Sequence, residues 1–214
     1  MTARPEAITV ALIRHPETAA NGEGRFVGRG ESPLTELGRE QLISIAMMME
    51  SWKPGAVLSS PRERALVVAQ RISACGTPLR VLDELAELDF GRAEGLTWAE
   101  MQALGLEIRY PSMVPLGQDA ADALGGPTDG PIAPEGEEWR AFMVRIRAAA
   151  RIIESAAPRV AVVTHGGVFR ALLTHWLGLQ DAAAWRFSVP NAAIATLTIR
   201  AGVGVLESLL PPAT

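Results

Sequence analysis

A histidine beside an arginine stands at the end of the first apolar run of the sequence. The run Ile8–Ile13 has the composition of a buried strand, and Arg14 and His15 follow it directly. A neutral imidazole can attack phosphorus. A guanidinium offers a planar set of donors that matches two phosphate oxygens, and it stays charged at any working pH. The pair therefore predicts a nucleophile beside an anion clamp.

Three more reactive side chains each come shortly after a later apolar run. They are Arg64 after residues 56–59, Glu87 after 79–82 and His165 after 160–163. In an open parallel sheet the carboxyl ends of the strands share one edge, and ligands bind in the crevice outside that edge. We therefore expect these three side chains to meet His15 at one site.

Together these residue types supply what phosphoryl transfer without a metal requires. The reaction needs an in-line nucleophile, positive donors for the three equatorial oxygens and a proton for the leaving alkoxide. We assign His15 as the nucleophile and Glu87 as the proton donor, which returns as base when water hydrolyses the phosphohistidine. Asp89 in the same acidic loop is the alternative acid. The predicted clamp consists of Arg14, Arg64 and His165.

Apolar runs and helical patterns alternate along most of the chain. The predicted strands cover residues 8–13, 56–59, 79–82 and 160–163, and the predicted helices cover about 35–52, 61–72, 97–104, 135–157 and 166–176. This alternation is typical of a three-layer α/β fold in which helices flank a mostly parallel central sheet. We expect a glycine-rich loop over 21–30 and a final hairpin over 193–206. The prediction is one domain over 1–214, with a lid-like excursion at about 98–134.

Composition restricts the classes of partner. The 214 residues carry a net charge of -4, whereas a nucleic-acid or anionic-membrane partner would favour a basic balance. We therefore expect a small phosphorylated metabolite as partner, with no nucleic acid and no membrane. The single Cys75 excludes an intramolecular disulfide, and no apolar stretch has the length of a membrane span. The expected location is the cytoplasm. The apolar hairpin and Trp185 are candidates either for the edge of a homodimer or simply for the core.

We expect neither a metal nor another cofactor. The sequence has three histidines, and none of them stands at helical ligand spacing from another. It also lacks clustered cysteines, so the usual coordination sets are missing.

A series of short motifs places these residues in a wider pattern. They are Arg14-His15-Pro16-Glu17-Thr18 with Asn21, Arg25-Phe26-x-Gly28, Ser32-Pro33-Leu34-Thr35-x-x-Gly38, Ser59-Ser60-Pro61-x-x-Arg64-Ala65, Glu87-x-x-x-Gly91-x-x-Glu94-Gly95, Pro134-x-Gly136-Glu137 and Val163-Thr164-His165-Gly166-Gly167. At these residues the chain resembles the histidine phosphatase superfamily, in its phosphoglycerate mutase-like branch. The match covers nearly the whole chain, in the family's order.

The resemblance implies a mostly parallel sheet flanked by helices and a site without metal. It implies phosphate ligation by the three clamp residues already named, with support from Asn21 and a substrate-facing role for Arg25. Gly166 joins the expected substrate-binding residues. One departure is Pro16, where the family signature has glycine. Proline removes a backbone donor and favours extended geometry at His15, which suits the end of a strand.

Three functions agree with these residues. The first is a phosphoric monoester hydrolase of the histidine acid-phosphatase type, acting on a small soluble ester through a phosphohistidine on His15. The second is a phosphoglycerate mutase, and the third, motivated by Pro16, is a non-catalytic phosphate-binding module. Hydrolysis is favoured because the lid segment is short and little chain follows the predicted hairpin to seal the site from water. The loop Arg25–Gly28 looks similar to the α-ribazole phosphatase group and to broad phosphomonoesterases.

Overall fold

One mixed sheet runs through the computed structural model, which describes residues 7–106, 130–131 and 133–211. The strands are β1 (Ile8–Arg14), β2 (Ala56–Ser59), β3 (Leu79–Val81), β4 (Arg159–Thr164), β5 (Ile194–Arg200) and β6 (Val203–Leu210). In these ranges they form a six-stranded sheet in the order β3-β2-β4-β1-β5-β6. Strands β1 to β4 pair in parallel, and β5 and β6 extend the sheet antiparallel beyond β1. The mostly parallel α/β sheet is confirmed.

Helices cover both faces of this sheet. They are α1 (Ala19–Gly22), α2 (Glu36–Trp52), α3 (Glu63–Ser73), α4 (Trp98–Ala103), α5 (Trp139–Glu154) and α6 (Gly166–Trp176), with a 3-10 turn at Asp83–Leu85. Of the predicted lid at about 98–134, the structure describes mainly α4, and residues 107–129 lie outside the described part of the chain.

The alternation of side chains along β1 explains why the sheet has two apolar faces. Val10 and Leu12 belong to one core with α5 and α6, whereas Ala11 and Ile13 belong to a second core with α2 and α3. Successive residues of a strand point to opposite faces, so a continuous apolar run is the pattern of a strand covered on both sides. The sheet is therefore the middle of three layers, as the sequence predicted.

Helix α5 starts later than predicted, and helix α1 was not predicted. Helix α5 was expected from about 135, but it begins at Trp139 because Glu135 has a φ of 63° and the backbone at Gly136 closes against Gly91. Helix α1 lies where a loop was expected. A capping box between Thr18 and Asn21 provides its first hydrogen bonds, and this pairing can form within a polar segment.

Candidate active site

The register of the sheet brings the two predicted site histidines side by side. Arg14 of β1 pairs with Thr164 of β4, and the next residue of each strand is a histidine. The backbone N–H of His15 donates to the carbonyl of Thr164 at 2.9 Å, and the two imidazole rings lie 5.1 Å apart in an edge-on arrangement. Two residues 150 positions apart in the sequence thus form one pair because their strands end at the same level.

The hydrogen bond of His15 to the chain identifies its free ring nitrogen. Nδ1 lies 2.7 Å from the carbonyl oxygen of Pro16, which can only accept, so Nδ1 carries the proton and Nε2 keeps its lone pair. His15 is 3% exposed. Burial lowers the pKa of His15 well below its usual value, and the charges of Arg14 and Arg64 lower it further. The ring is therefore a neutral imidazole with a nucleophilic Nε2.

His165 contacts a buried hydroxyl. Its Nε2 lies 2.6 Å from Oγ of Ser60, and both residues are fully buried. Ser60 Oγ already accepts the N–H of Arg62 at 3.2 Å, and in the described chain its hydroxyl hydrogen has one acceptor in reach, Nε2 of His165. With Ser60 as donor, the ring proton of His165 lies on Nδ1, a buried atom without a hydrogen-bond partner among the described residues. Burial, followed by the charge of Arg64, lowers the pKa of His165 well below its usual value.

Backbone carbonyls hold the two site arginines. Nη1 of Arg14 donates to Val189 at 2.6 Å, and its guanidinium lies 3.5 Å from the position that a Cβ on Gly166 would occupy. Arg64 donates to the carbonyls of Gly30 and Gly28 at 2.7 and 2.8 Å. Burial lowers the pKa of Arg64, and the nearby Glu87 carboxylate opposes that shift. These bonds fix the orientation of both guanidinium groups at the edge of the sheet.

The carboxylate of Glu94 holds the loop whose carbonyl groups accept from Arg64. The Glu94 carboxylate accepts the N–H groups of Gly28 and Arg29 at 3.0 Å, and that of Phe90 at 3.1 Å. Glu94 therefore links two segments. One is the loop whose carbonyl groups accept from Arg64, and the other carries Glu87, the predicted acid.

Glu87 binds the backbone at the start of α6, two residues after His165. Its Oε2 accepts the N–H of Gly167 at 2.9 Å and its Oε1 accepts the N–H of Leu88 at 2.9 Å. Each oxygen keeps a second acceptor position, where a proton can be held. Glu87 is buried, and the segment before it is tied to β4 by a hydrogen bond from Oγ1 of Thr164 to the carbonyl of Leu85.

Arg145 of α5 anchors the same segment from the other side. Its guanidinium donates to the carbonyls of Glu84, Ala86 and Glu87, at 2.9, 2.6 and 3.2 Å, and it forms two bonds of 2.6 and 2.7 Å with Glu137. Arg145 was not among the residues selected from the sequence. The sequence feature that could have identified it is a charged residue among the apolar positions of a predicted helix, directly before Ile146.

The remaining predicted residues lie in different surroundings. Asn21 is joined to the nucleophile segment through Asn191, whose Nδ2 donates to Oδ1 of Asn21 at 3.0 Å. Arg25 donates to Glu23 at 2.7 Å and to Glu100 at 2.8 Å, and these bonds and charges raise the pKa of Arg25. In the described chain no hydrogen bond of Arg25 goes to another predicted site residue. Asp89, the alternative acid, accepts the N–H of Gly91 at 2.8 Å and so closes a local turn.

The described residues contain neither a cluster of metal ligands nor a membrane-spanning helix. Among the described residues, no three histidine, cysteine, aspartate or glutamate side chains are grouped so that they could hold a metal ion. No helix in the described ranges is both long and apolar enough to cross a bilayer.

Comparisons with known proteins agree with this geometry. The profile of the histidine phosphatase superfamily (branch 1) matches residues 10–210. A metal-independent phosphoserine phosphatase of Arabidopsis thaliana is 32% identical, over 95% of this chain and 81% of its own length. A protein of Shigella boydii serotype 18 named probable phosphoglycerate mutase GpmB is 29% identical, over 87% of this chain and 83% of its own.

A solved structure gives the same result for the fold. The α-ribazole phosphatase of Shigella flexneri superposes with a TM-score of 0.78 at 25% identity, covering 96% of this chain and 98% of that one. The family profile thus matches almost the whole length of a chain that has the ordered motifs, the sheet and the paired histidines. The chain belongs to the histidine phosphatase superfamily.

Proposed function

We propose that this protein is a metal-independent phosphomonoesterase that hydrolyses a small phosphate ester through a phosphohistidine on His15. The observation that carries the proposal is the pair of buried, neutral imidazoles with ring centres 5.1 Å apart, next to the guanidinium groups of Arg14 and Arg64. A neutral Nε2 supplies the electron pair, and the surrounding positive charge stabilises the phosphoryl group as it transfers.

The first step forms one bond and breaks another. Nε2 of His15 attacks phosphorus as the bond from phosphorus to the ester oxygen breaks. Arg14, Arg64 and Nδ1–H of His165 donate to the equatorial oxygens, which carry the negative charge. Glu87, in its carboxylic acid form, gives its proton to the departing alkoxide.

The second step returns the enzyme to its starting state. Water attacks the phosphohistidine, and the Glu87 carboxylate takes one of its protons, so that inorganic phosphate leaves and Nε2 of His15 recovers its lone pair. The bonds from Gly167 and Leu88 hold the carboxyl group in place for both transfers.

The proposed substrate is a small phosphorylated metabolite. Relatives and structural neighbours include enzymes named for phosphoserine and for α-ribazole phosphate, and one neighbouring phosphoserine phosphatase has been solved with 3-phosphoglyceric acid. These names favour a monoester over a macromolecular substrate. The cytoplasmic location, the homodimer and the single domain over 1–214 remain predictions from the sequence.

A labelling experiment tests the proposal. The protein is incubated with p-nitrophenyl phosphate with and without a chelator, and the reaction is quenched to trap an acid-labile phosphoenzyme. We expect turnover that chelation leaves unchanged, and label on His15. His15→Ala should remove both, whereas His175→Ala, a change at a half-buried histidine of α6 outside the site, should keep both. Turnover by His15→Ala at the wild-type rate would contradict the proposal.

The phosphoglycerate mutase is the second candidate, and the relative from Shigella boydii is the observation in its favour. A mutase of this type must return the phosphoryl group to an acceptor before water removes it. Interconversion of 2- and 3-phosphoglycerate that depends on a bisphosphoglycerate primer, and that exceeds phosphate release, would establish the mutase instead. Phosphate binding without turnover would establish the non-catalytic module.

A further inference from the structure

Asn191 contacts three groups of the proposed site at once. It lies in the loop before β5, and its Nδ2 donates to the carbonyl oxygens of His15 and Pro16, both at 3.3 Å, and to Oδ1 of Asn21 at 3.0 Å. The next residue supports the same arrangement, because Ala192 has a φ of 61° and its N–H donates to the carbonyl of His15 at 3.1 Å. Neither Asn191 nor its loop was selected from the sequence.

The backbone determines which way both amide groups point. Two of the three groups facing the Asn191 amide are carbonyl oxygens, which only accept, so the atom near them is the NH₂ group. Asn21 accepts the backbone N–H of Thr18 at 3.2 Å and its Oγ1–H at 2.9 Å, so the atom facing Thr18 and Asn191 is Oδ1. The usual ambiguity between the oxygen and nitrogen of an amide is therefore absent here.

This orientation has one consequence for each neighbour. The Pro16 carbonyl that Asn191 holds is also the acceptor for Nδ1–H of His15, at 2.7 Å, and this bond leaves Nε2 as the nucleophile. The Oδ1 of Asn21 already accepts three hydrogen bonds, while its NH₂ group makes none in the described chain. That NH₂ group is left to donate to an incoming phosphate oxygen.

We propose that Asn191 is a positioning residue that keeps His15 in its reactive tautomer and turns the Asn21 amide toward the substrate. The proposal rests on the proposed function for its meaning in catalysis. The hydrogen bonds themselves can be measured without turnover.

Two substitutions separate the donor role from simple filling of space. Asn191→Asp keeps the size and shape but places carboxylate oxygens against three acceptors, whereas Asn191→Ala removes the donors and leaves room for water. We expect the aspartate variant to lose the most turnover, at least about tenfold more than the alanine variant, because repulsion between unpaired buried oxygens adds to the lost bonds. A residue that only fills space would give the opposite order, with the aspartate variant close to wild type, and this order would overturn the proposal.

The pH profile adds a signature that packing does not produce. A protonated aspartic acid can donate one hydrogen bond, so the ratio of Asn191→Asp turnover to wild-type turnover should rise as the pH is lowered. Gln102→Glu, the same amide-to-acid change at an exposed position of α4, is the matched control and should show a constant ratio. A constant ratio for Asn191→Asp would count against the donor role.

Selective labelling tests the geometry directly, even if a variant fails to fold. The chain has two asparagines and three histidines, so ¹⁵N-asparagine and ¹⁵N-histidine give few, assignable side-chain signals. In the wild-type protein, inorganic phosphate should shift the side-chain amide of Asn21 more than that of Asn191, and His15 should show a protonated Nδ1. An Asn191 amide that shifts more than Asn21 would overturn the proposal. If the wild-type protein shows the expected spectra but no phosphatase turnover, the proposed function fails and the positioning role is retained.

Discussion

Replacing Gly167 by alanine tests the position of the proposed acid. A Cβ on Gly167 would lie 2.5 Å from Oε1 of Glu87, whereas ordinary contacts begin at 3.4 Å, so the carboxyl group has to move by about 0.9 Å. A misplacement of about 1 Å can lower a rate by about 10²-fold. We therefore expect kcat/KM for an alkyl phosphate to fall by about 10²-fold. The loss for p-nitrophenyl phosphate should be below about tenfold, because nitrophenolate leaves with little help from an acid.

The fold should tolerate this change. The nearest atoms belong to the end of a flexible side chain, and alanine is favoured over glycine within a helix by about 0.5–1 kcal/mol, so the Tm should stay close to wild type. Gly55→Ala is the matched control, because its Cβ meets nothing closer than 3.4 Å.

The double variant decides whether the effect passes through Glu87. If it does, Gly167→Ala should add little to the loss already caused by Glu87→Gln. Equal losses on both substrates, or losses that multiply in the double variant, would refute the reasoning.

Three further outcomes are expected. Ser60→Ala should lower kcat/KM by about 10- to 100-fold and move the His165 proton off Nδ1 in ¹⁵N spectra, while Ser60→Thr, which keeps the hydroxyl, retains the wild-type spectrum. Since burial lowers the pKa of His15, the unfolded chain binds a proton below about pH 6.5 that the folded chain does not. The free energy of unfolding should then fall with decreasing pH by up to about 1.4 kcal/mol per pH unit for this histidine. Urea denaturation between pH 7 and 5 should show that the free energy of unfolding of His15→Asn depends less steeply on pH than that of the wild type. An unchanged pH dependence would contradict this expectation. Arg25→Ala should change KM by less than about fivefold, because surface ion pairs hold its guanidinium, and a larger rise would favour the substrate-facing role.

Local patterns were sufficient for most elements of the fold. The predicted run 56–59 matches β2, and 160–163 lies within β4. In the helix predicted over about 135–157, the apolar residues Trp139, Phe142, Met143 and Ile146 recur at helical spacing and are buried. These features depend on the period of apolar residues, which the sequence contains directly. The boundaries that were wrong, such as the start of α5, depend on backbone contacts with distant residues that no local period records.

The patterns that predict strands also indicated where three of the candidate residues would lie. His15, Arg64 and His165 each follow a strand, and the shared edge of a parallel sheet brings such positions together. The position of Glu87 depends on more than the end of the strand before it. It follows the edge strand β3, and it lies at the start of α6 because Thr164 donates to the carbonyl of Leu85 and Gly167 donates to the Glu87 carboxylate.

Residue types and the order of the strands along the chain, which the sequence contains, determined that two imidazoles, two guanidinium groups and a carboxyl group would gather at one sheet edge. The tertiary structure alone decided which atoms of these groups are available. The carbonyl of Pro16 accepts from Nδ1 of His15 and leaves Nε2 free. Asn191 holds that carbonyl and sets the amide of Asn21 through contacts between segments about 170 residues apart. Hydrogen-bond direction depends on such contacts, and residue order along the chain does not specify them.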